Sequence, residues 1–159
     1  MKFYSVARYL LLLGLALTTG CAASGTPFQR VGDIPKDKGL VYVYRPNSII
    51  GSAIRYDVHA NNDVICTLVR GGYCLYYTMP GEVELWGQTE SKGTITIDVK
   101  AGQEHFVKGS LSFGLVVGRP NLTLMEPPEG LKEISDCNLI NGPTAESIDG
   151  KKVEQKAEK

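Results

Sequence analysis

The chain has 159 residues, enough for one domain with its own hydrophobic core and short of two ordinary ones. Its 17 basic and 17 acidic residues cancel, so no surplus of positive charge is available to hold nucleic acid. With 43% hydrophobic residues, the composition is that of a folding domain and excludes a wholly disordered chain.

In chain order, Lys2 and Arg8 precede an apolar run over residues 10–17, broken only by Gly14, and small residues then lead into Cys21. The run is shorter than the roughly 20 residues needed to cross about 30 Å of hydrocarbon. It reads as a secretory signal peptide over residues 1–20. The end Leu17-Thr18-Thr19-Gly20-Cys21 is a lipobox with Thr18 where Leu is usual, so acylation of the Cys21 thiol (a palmitate-type lipid anchor) and cleavage before it are expected. Ala22 follows, not the Asp that retains many such proteins in the inner membrane. The expected address is the outer membrane, facing the periplasm. Losing Lys2 and Arg8 leaves 15 basic residues against 17 acidic, a net charge of −2.

Residues 21–38 are polar and rich in Gly, Ser and Pro, which predicts a flexible tether from Cys21 to the domain. Residues 39–140 hold nearly all the β-branched and aromatic residues. Residues 141–159 end in a Lys/Glu run with almost nothing to bury, and a disordered charged tail is expected there.

Within the middle segment the signal is period two between turns. Residues 40–44 form a strand stopped by Arg45-Pro46-Asn47. Tyr56, Val58 and Ala60 share a face before Asn61-Asn62-Asp63. Val64, Cys66 and Leu68 continue an inward row, with Ala60 opposite Val64. Residues 70–72 break that strand, 73–79 form the next, and Pro80-Gly81 turns the chain. Val83 and Leu85 lead to Trp86, and Ser91-Lys92-Gly93 turns it back. Ile95, Ile97 and Val99 alternate with Thr94, Thr96 and Asp98; Ala101-Gly102 then leads into residues 105–107, and residues 121–125 form a last strand. Pro127-Pro128-Glu129 opens a short helix through Ile134. The pattern predicts an all-β fold, a single antiparallel β-sandwich of immunoglobulin-like or prealbumin-like kind with a short C-terminal helix.

Val41-Tyr42-Val43-Tyr44-Arg45, Tyr73 before Pro80-Gly81-Glu82-Val83-Glu84-Leu85, the run from Ile95 through His105-Phe106-Val107, and Cys137-Asn138-Leu139 together resemble the bacterial lipoproteins grouped as domain of unknown function 2846. The likeness covers about residues 40–140. His105 stands where an aromatic is expected, and Cys66 and Cys74 look like additions. The resemblance implies fold and address; the family carries no catalytic residues to transfer.

Nucleophilic catalysis needs a base within reach of Ser or Cys, and the chain has two histidines, His59 and His105. His59 falls on an outward row and His105 beside Phe106 near a strand start, as ordinary strand residues do. The chain contains no G-x-S-x-G, S-x-x-K or H-E-x-x-H motif and no C-x-x-C pair for a metal. The expectation is a non-enzyme with no cofactor and no metal.

Three cysteines remain beyond Cys21. Cys66 and Cys74 flank the bend at residues 70–72 and are the expected disulfide in an oxidising compartment, with Cys137 an alternative partner for either. Two features suit binding. Tyr42, Tyr44, Tyr73, Tyr76, Tyr77 and Trp86 crowd adjacent strands. Exposed on a sheet face, Tyr42, Tyr44, Tyr76 and Trp86 would stack on glycan such as peptidoglycan; core packing is the commoner use of such rings. The second is Phe113-Gly114-Leu115-Val116-Val117-Gly118-Arg119-Pro120, favoured as a buried strand; if exposed, it is a contact patch for a protein partner or the membrane surface. The expected role is that of a membrane-anchored, non-catalytic accessory or interaction module serving an unidentified envelope protein, with peptidoglycan or glycan binding as the alternative.

Overall fold

The computed structural model describes residues 23–115 and 117–140. The expected signal peptide, Cys21 and the expected charged tail lie outside the described residues. Among the described residues nine strands and one helix follow in order: β1 (Gly39–Arg45), β2 (Tyr56–Ala60), β3 (Asp63–Leu68), β4 (Gly72–Thr78), β5 (Gly81–Gln88), β6 (Lys92–Val99), β7 (Glu104–Ser112), β8 (Arg119–Met125), α1 (Pro127–Ile134) and β9 (Asn138–Leu139). They build a five-stranded sheet, β8-β7-β1-β4-β9, facing a four-stranded sheet, β3-β2-β5-β6. This is an all-β sandwich. Two of its pairings are parallel, β1 with β7 and β4 with β9, where alternation alone predicts antiparallel neighbours. The first follows from the turn after β6. Gly102 N donates to Lys38 O and Leu40 N to Gln103 O, which starts β7 beside the start of β1.

The central strand β1 is buried on both faces. Val41 and Val43 point between the sheets, packed with Val58, Leu68, Leu85, Val99 and Val107. Leu40, Tyr42 and Tyr44 point the other way into a second core with Phe106 and Ile134. Full burial of such an aliphatic side chain contributes about 1.5–3 kcal/mol. The second core exists because the outer face of the five-stranded sheet is covered. Helix α1 starts on Pro127 and Pro128, where a missing N–H costs little, and lays Ile134 on that face. Below the helix, Tyr44 donates to Glu133 Oε2 at 2.9 Å and Lys108 Nζ to Glu133 Oε1 at 2.6 Å.

The rest of the cover comes from residues 23–34, and here the expectation of a flexible tether is corrected. Phe28 meets the rings of Tyr42 and Tyr73 edge-on, with centroids 5.5 and 5.2 Å away. Val31 and Ile34 pack on the same core. Phe28 N donates to Cys137 O and Leu139 N to Thr26 O, so the segment also closes the β9 edge. Three apolar residues spaced among polar ones are enough to dock it.

The β2–β3 hairpin is corrected too. Ala60 pairs with Asp63, not Val64, and the register shifts at Val58/His59. The bulge turns Ile65 inward along with Cys66 and Leu68 and leaves Val64 exposed, as an extra residue in one strand must. Cys66 of β3 and Cys74 of β4 form a disulfide between the two sheets, with Cα atoms 6.5 Å apart.

Candidate functional site

One end of the sandwich gathers five connections: residues 46–55, 69–71, 89–91, 113–118 and 135–137. Two of them display apolar side chains to solvent. Ile49 is 88% exposed, Phe113 84% and Leu115 91%, with Ile50 and Val117 also exposed. The segment starting at Phe113, favoured as a buried strand, is therefore a loop between β7 and β8. It carries the alternative that its sequence left open, an exposed apolar patch.

Each loop is braced by a charge turned inward. Arg45, the last residue of β1, continues the Val41–Val43 row into the space between the sheets and is 2% exposed. Its Nη1 donates to Ile54 O at 2.7 Å; its Nη2 donates to Gly51 O at 2.7 Å and to Ile50 O at 3.4 Å. No carboxylate among the described residues pairs with it, and burial pulls its pKa below the usual arginine value. Residues 50–54 are thus wrapped around a guanidinium with their carbonyls inward, which sends the Ile49 and Ile50 side chains outward. Gly51 makes the wrap with φ +66; a Cβ there would stand 2.6 Å from Leu111 Cδ1, so an L side chain is excluded on both counts.

The second loop folds over Glu90, in the β5–β6 turn. Leu115 N donates to Glu90 Oε1 at 2.9 Å and Val117 N to Oε2 at 3.3 Å, and Arg119 Nε lies 3.4 Å from Oε1. Thr89 Oγ1 donates to Gly118 O. A Cβ on Gly114 would fall 1.8 Å from Glu90 Oε1, so the carboxylate reaches the amides only because that residue is glycine. Charge-assisted bonds of this kind are about twice as strong as neutral ones. Between the loops lies an apolar cleft of ≈ 230 Å³, lined in part by Ile50, Ile54, Leu111, Phe113 and Val117.

The N-terminal segment joins the domain at this same end. Ala23 N donates to Arg70 O at 3.2 Å and Asn138 Nδ2 to Ala23 O at 3.0 Å, while Gly71 N donates to Arg45 O at 2.9 Å. Cys21, the expected lipid site, stands two positions before Ala23 in the sequence and lies outside the described residues.

The aromatic candidates do not form a surface. Tyr42 and Tyr44 are 0% exposed and Tyr76 is 3%. Tyr42 and Tyr44 face the covered outer core, with Phe106 stacked on Tyr42, and Tyr76 faces the inter-sheet core. The glycan platform is corrected on that ground, because stacking on a sugar needs free ring faces. Trp86 is half-buried. His59 stacks on it at 3.7 Å, Lys92 Nζ sits 4.5 Å from its centroid, and its Nε1 donates to Asn61 O.

At the opposite end an open groove of ≈ 660 Å³ runs past Arg30, Asp33, Gln103 and Glu104. Its charges answer each other: Arg30 Nε reaches both Glu104 oxygens at 2.9 and 3.1 Å, and Tyr42 donates to Glu104 at 3.3 Å. Burial pushes the Tyr42 hydroxyl up to about 12. Cys137 is a free, buried thiol, pushed up to about 12 by burial and by nearby Asp136 and Glu133; it is poorly suited to attack. His105 Nε2 accepts from Lys100 N at 3.1 Å. Among the described residues no group of three or more His, Cys, Asp or Glu side chains could hold a metal, and no helix is long and apolar enough to cross a membrane.

Sequence reasoning passed over Ile49, Ile50, Arg45 and Glu90. The legible clue was an apolar pair, Ile49-Ile50, inside a stretch of turn residues, where nothing in the local pattern buries it.

The chain is similar to a protein of Haemophilus influenzae described as uncharacterized, 28% identical over 139 residues, covering 85% of this chain and 82% of that one. No solved structure matches. The family model described as protein of unknown function (DUF2846) matches residues 35–119, a span that includes β1 through β7, Arg45, Glu90 and both apolar loops. With more than half of its length matched, the chain belongs to the family of proteins of unknown function DUF2846.

Proposed function

We propose that this protein is a lipid-anchored component of the bacterial cell envelope, held at the outer membrane by acylated Cys21 and facing the periplasm, whose sandwich acts without catalysis as an accessory or interaction module. The observation that carries the interaction role is the braced apolar end. Single exposed hydrophobics are ordinary, but a contiguous group held outward marks a contact surface. Here two inward charges and two glycines keep Ile49, Ile50, Phe113, Leu115 and Val117 in water, when collapse onto the cleft would bury them. The lipobox supports the address.

The test uses the full chain in intact bacteria. Metabolic labelling with an alkyne fatty acid should mark the wild-type protein and not Cys21→Ser, and labelled protein should fractionate with the outer membrane. A photo-crosslinking amino acid at Leu115 should give an envelope adduct that the same group at Thr96, on the outer face of β6, does not. An unlabelled, freely soluble protein defeats the anchor; equal crosslinking from both positions defeats the interaction surface.

A further inference from the structure

The geometry points to the bilayer itself as the occupant of the apolar end: Ile49, Ile50, Phe113, Leu115 and Val117 dip into the membrane that holds the acyl chains of Cys21, seating the domain upright on it. The inference rests on the anchored reading above and names what its contact surface touches.

Three observations bring the lipid there. The first is where the described chain begins. Ala23 is tied to Arg70 and Asn138 at the patch end. One residue, Ala22, separates it from Cys21, and at no more than about 3.6 Å per residue the two steps of chain to the cysteine span at most about 7 Å. The second is lateral distance. Ala23 sits beside β9, three strands from β7 in the order β7-β1-β4-β9, or about 14 Å at the usual strand spacing. An acyl group on Cys21 and the tips at Phe113 and Leu115 therefore meet one flat surface together. A chain joining the domain at the other end would point the patch away from the membrane.

The third observation is charge. The connections at this end, together with Arg119 at the start of β8, carry Arg55, Arg70 and Arg119 against two acidic residues, Glu90 and Asp136. The Glu90 carboxylate is turned onto the loop amides and Arg119. Apolar tips rimmed by arginine suit a membrane interface, where rings and aliphatic groups enter about 5–10 Å and basic side chains stay among anionic headgroups. Acyl chains and apolar loops then act as two attachments. Multiple attachment is what makes membrane anchoring firm, and it fixes which faces of the sandwich look into the periplasm.

The experiment reconstitutes the full acylated protein in vesicles of phosphatidylethanolamine and phosphatidylglycerol, with an environment-sensitive nitrobenzoxadiazole probe attached through Leu115→Cys, Ile49→Cys or Met79→Cys. All three positions are exposed, so the fold tolerates each, and Met79 lies at the far end. Probes at positions 115 and 49 should shift to the blue and be quenched several-fold more by lipid-borne nitroxide than by a water-soluble quencher; the probe at position 79 should show the reverse. Vesicle flotation with a mass measurement of the N-terminal peptide reports the anchor separately. Protein that floats with Cys21 acylated but keeps position 115 as wet as position 79 overturns the inference and leaves the anchored reading standing. A probe at position 115 that is shielded in native envelopes yet wet in lipid vesicles assigns the patch to a protein partner, which also overturns it. A chain without acylation on Cys21 overturns both.

Discussion

At the end of the sandwich that carries residues 46–55 and 113–118, Arg45 and Glu90 face inward and bond to backbone, and the apolar side chains of their loops face water. At the other end Arg30 and Glu104 bond to each other near the surface, and among the described loop residues there Met79 is the one large hydrophobic that is strongly exposed. The same two residue types serve opposite ends differently. A charge spent on main-chain groups organises a loop against its own hydrophobic tendency, whereas a surface pair adds little beyond a local tie. The contrast separates an apolar surface that is built from one that is merely left over.

The sharpest way to break this contrast is Arg45→Met, which keeps the length of the side chain and removes its donors. The carbonyls of Gly51 and Ile54 lose their partner between the sheets. Urea unfolding should show a loss of about 2–4 kcal/mol, with faster protease cutting in residues 46–55. A loss below about 1 kcal/mol would mean that the loop holds itself. Next, Cys66→Ala with Cys74→Ala removes a bridge between residues eight apart in sequence, worth about 2.5 kcal/mol by loop-closure entropy. That loss should be global, lowering the unfolding midpoint while leaving amide protection in both apolar loops in its original rank. Selective opening of one end would show that the bridge belongs to that end.

Glu90→Gln is milder. It retains one acceptor and presents an amide N–H₂ to the amides of the loop, for a loss of about 1–2 kcal/mol. Hydrogen exchange at Leu115 and Val117 should quicken while the amides of β1 stay protected. The smallest effect belongs to Arg30→Ala, because the guanidinium is largely solvated. The thermal midpoint should stay where it is in wild type. A fall matching that of Glu90→Gln would erase the difference between the ends.

Most strands were legible because one side of each meets a core. Ile95, Ile97 and Val99 against Thr94, Thr96 and Asp98 is the clearest instance, and β6 follows it. In β1 the same logic stalls. Both of its rows are apolar, so alternation names no outside, and the structure has none there because residues 23–34 and α1 cover the second face. The tyrosines looked available as a platform for that reason alone. The bulge that turns Val64 out and Ile65 in was illegible for a different reason: a one-residue register shift depends on the partner strand. The apolar end was half legible. The stretch from Phe113 stood out, but its exposure depends on a carboxylate some twenty-five residues earlier.

By itself the sequence determined eight of the nine strands (it missed the short β9 and favoured a strand from Phe113 that is a loop), the turns, the helix on Pro127 and the expectation of a lipid site at Cys21, since these follow from local stereochemistry, short-range periodicity and a linear motif. Only the tertiary structure decided which apolar residues stay in water and where Ala23 lies relative to them. Both are set by contacts between segments far apart in the chain, Arg45 with residues 50–54 across a turn, Glu90 with residues 115–117, Ala23 with Arg70 and Asn138. Burial is a property of what covers a residue, and the cover is always another part of the chain.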